Sequence, residues 1–180
     1  MNAGGNAQQQ YYASIGSAAV KTSARTQNLI ESPQTPGSQS APLGIKWIIL
    51  RRDANGEFAV VNPEDLRAGD TVELRLTANQ SCELSVFDNA DGKLLPFLAK
   101  RVEAGETVDT PPLTPVGKGA RELTVGLARS GTVAGTIVVA QPLLSREGQQ
   151  SEINRGERAT YTVGPAGAQQ VFLSIALNYR

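Results

Sequence analysis

The sequence predicts an all-β protein: an immunoglobulin-like antiparallel β-sandwich over residues 44–180, preceded by an extended, mostly irregular N-terminal arm over residues 1–43. Three observations lead to this prediction. Short runs after residue 43 alternate apolar and polar side chains at period two, turn signals separate these runs, and no segment there has convincing helical periodicity. Roughly nine short strands at such spacing are typical of a sandwich with immunoglobulin-like architecture.

The predicted strands are rich in β-branched or alternating residues and cover, in chain order, residues 45–50, 57–61, 71–76, 82–86, 94–98, 122–127, 136–140, 159–163 and 171–179. Residues 101–102 and 107–108 flank the predicted turn at 103–106. Asn55-Gly56 predicts the first hairpin turn, because both residues tolerate positive φ. Residues 66–70 predict a corner, and residues 88–92 and 103–106 predict further turns. Pro96 indicates an edge position or a bulge, because proline cannot donate to a sheet ladder.

Two of these strands are predicted to contribute to the core in different ways. Residues 136–140 are apolar on both faces, which is typical of a buried strand. The closing strand instead places one row of apolar side chains on a single face: Val171, Leu173, Ile175, Leu177 and Tyr179. We expect that row to be an integral part of the core.

The chain contains no histidine, and Cys82 is its only cysteine. Without histidine, the Ser-His-Asp and Cys-His nucleophiles and the usual zinc and haem sites are excluded. Ser-x-x-Lys and Gly-x-Ser-x-Gly are absent as well. We therefore expect a non-enzymatic protein, with no catalytic, cofactor-binding or metal-binding residues. Cys82 alternates with Leu84 and Val86 and is interpreted as a buried small hydrophobe.

Charge and hydropathy restrict the partners. Lys and Arg number 17 and Asp and Glu number 17, so the basic excess of a nucleic-acid binder is lacking. No apolar run approaches the roughly 18 residues that span a bilayer, and the N-terminus does not resemble a signal peptide. The partners expected are therefore other protein subunits, in a homo- or hetero-assembly, with no nucleic acid and no direct membrane span. The compartment stays open.

The arm over residues 1–43 has only three charged side chains and is rich in Gln, Ser, Ala and Gly. Such a segment cannot bury enough apolar surface to fold alone. Between Tyr11 and Ile30 the sequence leaves a weak helix and a strand open. The arm residues expected to anchor on another subunit are Tyr11, Tyr12, Ile15, Val20, Leu29 and Ile30. The prolines at 33, 36 and 42 should keep the arm extended and out of stable contact with its own domain.

Several short patterns have both a structural and a functional interpretation. The acidic segments 53–57 and 88–92 lack the spacing of a calcium loop and favour hairpin turns. The segment 117–121 lacks phosphate-loop spacing and favours a flexible loop. Trp47 lies in a β run, which favours a place between the sheets, with a sugar-stacking role as the alternative.

Residues 44–130 resemble a bacterial family known as domain of unknown function 4384. The resemblance lies in fold motifs: residues 45–52, the corner 66–70, residues 71–79, 84–88, 95–97 and 121–125, together with a closing strand over 173–180. It implies an immunoglobulin-like module of the kind found in envelope-associated or multidomain bacterial proteins, with no established activity.

Together these observations predict a structural or accessory subunit of a bacterial assembly that acts through protein–protein contacts of its sandwich and its arm. The envelope, the periplasm or the cell surface is the favoured location. The alternative function is a carbohydrate- or small-ligand-binding module that uses exposed loops.

Overall fold

The computed structural model describes residues 6–23, 41–90, 92–114, 119–129 and 148–180, with the side chains of residues 16–23 and of Ala90 outside the description. The predicted strand 136–140 lies outside the described residues, as do residues 117 and 118. Residues 119–121, which were expected to belong to a flexible loop, instead begin the strand Gly119–Arg129. The described part contains one α-helix and ten strands: α1 (Ala7–Ser23), β1 (Gly44–Arg52), β2 (Phe58–Val61), β3 (Val72–Ala78), β4 (Cys82–Ala90), β5 (Lys93–Val102), β6 (Thr107–Asp109), β7 (Gly119–Arg129), β8 (Gln150–Asn154), β9 (Ala159–Val163) and β10 (Gln170–Tyr179).

The strands form two antiparallel sheets that pack face to face. The first sheet has the strand order β6-β3-β1-β9-β8, with β2 also paired to β1. The second has the order β10-β7-β4-β5. The prediction of an all-β sandwich is confirmed.

Strand β1 organises the first sheet, because three other strands pair with it. One edge of β1 pairs with β3 over residues 45–51. The other edge is divided: residues 44–47 pair with β9, and residues 49–52 pair with β2. The first sheet therefore forks beside β1, and the two branches are parts of the chain about a hundred residues apart in sequence.

The core lies between the sheets and follows the predicted alternation. On β3, the side chains of Val72, Leu74 and Leu76 are fully buried, while Glu73, Arg75 and Thr77 lie on the other face. Cys82 is fully buried, as predicted, and burial raises the pKa of its thiol to about 12. All five inward-facing residues predicted on β10 are buried: Val171, Leu173, Ile175, Leu177 and Tyr179.

The turns match the sequence with two refinements. At Asn55-Gly56 only Gly56 has positive φ, at 84°, and the carboxylate of Asp53 accepts hydrogen bonds from the backbone N–H groups of Asn55 and Glu57. The turn predicted over 88–92 is shorter, because Ala90 pairs directly with Lys93. Asp88 accordingly lies within β4. The ladder between β4 and edge strand β5 shifts register where Phe87 meets Pro96, as the proline predicted.

Helix α1 occupies residues 7–23 of the predicted arm. Of the two alternatives that the sequence left open there, a weak helix and a strand, the chain forms the helix. Its N-terminus is capped by Asn6, whose side-chain oxygen accepts a hydrogen bond of 2.8 Å from the N–H of Gln9. Ala7, Tyr11 and Ser14 are buried at helical spacing. The helix therefore presents one face to the sandwich, and for residues 7–15 the expectation of an arm without contact to its own domain is corrected.

Candidate functional site

Helix α1 and the first sheet enclose a small apolar cluster on the side of that sheet away from the second sheet. The cluster is built from Ala7 and Tyr11 of the helix and Ala159, Tyr161 and Val163 of β9, all 3% exposed or less. Ile15 and Ile48 pack against its margin. The alternate residues of β9, Thr160 and Thr162, face the second sheet, so this strand contributes side chains to both sides of its sheet.

Three tyrosine rings form the centre of this contact. Tyr11 meets both Tyr12 and Tyr161 edge to face, each at 5.3 Å between ring centroids. Such pairs add about 0.5–1.5 kcal/mol to what burial alone supplies. The hydroxyl of Tyr11 donates to the backbone oxygen of Thr77 at 2.9 Å. Tyr11 thus joins the helix to two strands of the sheet, β9 and β3.

A polar chain continues from the tyrosine cluster to the surface. The hydroxyls of Tyr12 and Tyr161 lie 3.0 Å apart, and Tyr161 donates to the carboxylate of Glu157 at 2.6 Å. Lys46 pairs with the same carboxylate at 3.1 Å and lies 5.5 Å from the centroid of the Tyr161 ring. Glu157 is therefore satisfied twice and holds Tyr161 in the orientation that receives the helix.

These contacts change the pKa values of the side chains that make them. Burial raises the pKa of Tyr11 well above its usual value, with the neighbouring Tyr12 adding to the effect. Burial also raises the pKa of Tyr161, and its hydrogen bond to Glu157 acts in the same direction. The hydrogen bond from Tyr161, followed by the one from Lys46, lowers the pKa of the Glu157 carboxyl. The contact is thus built for neutral phenols and an ionised carboxylate.

We expect the docked helix to loosen in strong alkali. A phenol whose pKa is raised in the folded state stabilises that state below its unfolded pKa of about 10, and the contribution is lost as the pH rises through the folded pKa. In an ultraviolet titration, Tyr11, Tyr161 and Tyr179 should stay protonated beyond the point at which the denatured protein is fully ionised. Simultaneous ionisation of all four tyrosines of the native protein near pH 10 would contradict this arrangement.

The predicted partner-binding residues are distributed unequally. Tyr11 is buried against its own sheet, Tyr12 remains 46% exposed, and Ile15 packs at the margin of the cluster. Val20 lies on α1, with its side chain outside the description, and Leu29 and Ile30 lie outside the described residues. The structure thus brings Tyr11, Tyr12 and Ile15 together on this chain. Their expected role on another subunit stays a prediction.

Sequence reasoning did not identify the receiving surface formed by Tyr161, Glu157 and Lys46. Two signals bear on it. Asn6 followed by Gln9 has the spacing of a helix N-terminus, and Ala159, Tyr161 and Val163 form an apolar row on what was interpreted only as a short strand. An apolar row that lies on the face of β9 away from the second sheet indicates that another element covers that face.

A cleft of about 300 Å³ runs beside α1, between the helix and the β3 edge. Its two cationic side chains are already paired. Lys46 binds Glu157, and Arg75 contacts both carboxylate oxygens of Asp109 at 2.7 and 2.8 Å. Both positive charges that line this cleft are therefore paired with carboxylates of the same chain.

A second cleft, of about 330 Å³, opens where the first sheet forks beside β1. We refer to it as the Trp47 cleft. Trp47 stands opposite Leu76 on one side and Thr160 on the other. Its indole packs partly against the main core, as predicted, but also lines the cleft, and its buried Nε1–H has no acceptor among the described residues.

Arg158 closes the outer end of the fork. It is the only non-glycine residue in the described part of the chain with positive φ, at 53°. Its Nη1 donates to the backbone oxygen of Val60 on β2 at 2.8 Å, which ties the β8–β9 turn to the second branch. Left-handed backbone costs a non-glycine residue about 1 kcal/mol or more, so the surrounding contacts must hold it there.

Within the described ranges, no group of three or more Cys, Asp or Glu side chains is placed to hold a metal ion. In that same part of the chain, no helix is long and apolar enough to cross a membrane. Asp88, which belongs to the acidic segment 88–92, is bound by Arg121 through both its carboxylate oxygens, at 3.1 and 2.6 Å.

Fold and surfaces together define a two-sheet β-sandwich with an N-terminal helix docked on one outer face and an open cleft at a forked sheet edge. Comparison of the chain with protein-family models gave no match, and neither curated proteins nor solved structures gave one. The resemblance to domain of unknown function 4384 stays a prediction.

Proposed function

We propose that this chain is a non-enzymatic subunit of a protein assembly and that it binds neighbouring copies by exchanging helix α1. The observation that supports this is the form of the α1 contact. A short helix docks through one buried tyrosine and a few hydrogen bonds onto a surface that is already complete as a sheet. An element of this kind can be received from the same chain or from another copy.

The tether between helix and sandwich supports exchange by its length. Residues 24–40 separate α1 from the first described residue of the sandwich. Seventeen residues span at most about 60 Å when fully extended. A compact domain of this size has a radius of gyration of about 14–15 Å, hence a diameter of about 35–40 Å. The helix can therefore reach the equivalent surface of an adjacent copy.

The balance between the two forms depends on concentration and on additional contacts. An intramolecular helix competes with an effective concentration in the millimolar range. A dilute isolated chain should keep α1 on its own sheet. Exchange becomes favourable when other surfaces hold the subunits together, because each intramolecular contact of the helix is then replaced by the same contact between copies and the other surfaces supply the free energy of association.

The contact between Gln10 and Gln150 supplies a direct test, because their side chains meet at 3.2 Å. Chains carrying Gln10→Cys and chains carrying Gln150→Cys are mixed at rising concentration under oxidising conditions. Exchange predicts a disulfide-linked dimer of the two different chains on a non-reducing gel. The native thiol should not interfere, because Cys82 is fully buried.

Lys93→Cys is the matched control. It replaces an exposed residue at the start of β5, on the other sheet, and should not cross-link with Gln10→Cys. Exchange is refuted if the double variant Gln10→Cys/Gln150→Cys forms its disulfide only within one chain at every concentration while the mixed single variants form no dimer. Equal cross-linking to Lys93→Cys would reveal random collision.

The setting expected from the resemblance, an assembly at the bacterial envelope, belongs to the same proposal and is supported by that resemblance alone. A cross-linking result would hold in any compartment, so the test of exchange is independent of the setting.

A further inference from the structure

The Trp47 cleft owes its existence to the pairing of β1. Beside Trp47, β1 is covered by β9; from Ile49 onward it is covered by β2. The two covering strands diverge, and the second sheet forms the far wall through Leu173 of β10. The opening is thus fixed by main-chain pairing on both sides, and small-molecule sites are usually largely pre-formed in this way.

The walls combine an apolar floor with a polar rim. Trp47, Val61 and Leu173 supply the floor, and hydroxyl and amide side chains supply the rim, among them Thr160 and Asn62. At about 330 Å³ the cleft lies at the small end of the usual range for ligand sites, which is about 300–1,000 Å³. A cavity lined by both an aromatic side chain and hydroxyl groups suits a sugar ring, which has apolar C–H faces and a polar periphery.

The charge of the cleft specifies the ligand further. Among the described residues that line it, Arg158 is the single charged side chain. One of its nitrogens binds the Val60 oxygen, and no carboxylate in the described part of the chain lies within salt-bridge distance of it. Arginine is the side chain best shaped to bind a carboxylate with two parallel hydrogen bonds. The contrast with Arg75 and Arg121 is clear, because both are paired within the chain.

The geometry points to a binding site for a sugar acid of hexuronate size in the Trp47 cleft, with the sugar ring against Trp47 and the carboxylate on Arg158. This site is independent of helix exchange, because α1 packs on the opposite face of the first sheet. The strained backbone of Arg158 serves the site by holding the guanidinium at the mouth of the cleft.

The test uses sodium glucuronate as the probe and the intrinsic fluorescence of Trp47, the only tryptophan in the chain. Titration of the full-length protein should give a saturable change in Trp47 emission. Glucose, which has the same ring without the carboxylate, should bind at least about tenfold more weakly, because a hydrogen-bonded charge is worth more than a tenfold change in affinity.

Two arginines of the same turn provide matched variants. Arg158→Gln should weaken glucuronate binding by about tenfold or more, whereas Arg155→Gln, which changes an exposed arginine outside the cleft lining, should leave it unchanged. Thermal melts of both variants establish that each is folded. The comparison of glucose with glucuronate on the unmodified protein gives a measure that does not depend on any variant.

Three results would overturn the inference. The first is the absence of a saturable response to glucuronate. The second is equal weakening by Arg158→Gln and Arg155→Gln, which would indicate general charge attraction. The third is equal affinity for glucose and glucuronate, which would remove the carboxylate from the recognition. The cross-linking experiment on α1 reports none of these, so the two proposals fail separately.

Discussion

A chain that ends at Gln170 is expected to be unfolded, because it lacks nearly all of β10. This strand pairs with β7 along its entire length, from Gln170 to Tyr179. Its inward side chains Val171, Ile175 and Leu177 are all within 2% of complete burial. Full burial of one such side chain contributes roughly 1.5–3 kcal/mol, and the net stability of a domain is only about 5–15 kcal/mol. Loss of these side chains therefore removes a stabilising free energy comparable to the net stability of the whole domain.

Far-UV circular dichroism and a thermal melt of the truncated chain measure this directly. We expect a disordered spectrum and no cooperative transition. The matched control removes the other end: a chain that begins at Ala41 loses α1 and keeps both sheets, so it should melt cooperatively. A soluble 1–170 chain with a native-like melt would mean that β10 is not required by its own sandwich.

Replacing Tyr11 by alanine is expected to release helix α1 while the sandwich remains intact. Tyr11 is 1% exposed, contacts both other rings of the cluster and donates the hydrogen bond to Thr77. Truncating a buried aromatic side chain costs about 3–5 kcal/mol. For a helix held by one apolar cluster and a few hydrogen bonds, that amount approaches the entire docking free energy.

Limited proteolysis and native-state hydrogen exchange report the release. In Tyr11→Ala, residues 7–23 should become cleavable and lose exchange protection, while the melting temperature of the sandwich changes little. Tyr12→Ala is the control on the same helix, because Tyr12 is 46% exposed and should leave α1 mostly docked. A drop of the sandwich melting temperature in Tyr11→Ala equal to that of a core truncation would show that helix and sandwich unfold as one unit.

The strands could be predicted because their information is local. The alternation of Val72, Leu74 and Leu76 with polar residues is enough to predict which side of the strand is buried. Gly56 predicts a turn because glycine readily adopts the positive φ that the turn requires. Helix α1 is harder to predict from the sequence. Its apolar residues are sparse, and its stability comes from a sheet more than a hundred residues away in sequence, so local pattern could not separate helix from strand.

The candidate sites could not be predicted for a related reason. Trp47 and Arg158 line one cleft only because β1 pairs with both β2 and β9, and no single-sequence pattern states which strands are neighbours. The contact between Tyr11 and Tyr161 likewise joins residues far apart in the sequence, and no local pattern predicts it. What the sequence did indicate was the kind of residue: an aromatic side chain in a β run with two alternative roles, and tyrosines in a segment too polar to fold alone.

The fork at β1 also sets an order of events during synthesis. The β4–β5 hairpin and the pairing of β1 with β3 join nearby parts of the chain and can form early. One half of β1, however, must wait for β9, and the second sheet must wait for β10, the last of the described strands in chain order. Until then an apolar strand has an unpaired edge, which is a site for wrong association. Any factor that binds the nascent chain before β9 has been synthesised will therefore encounter β1 half covered.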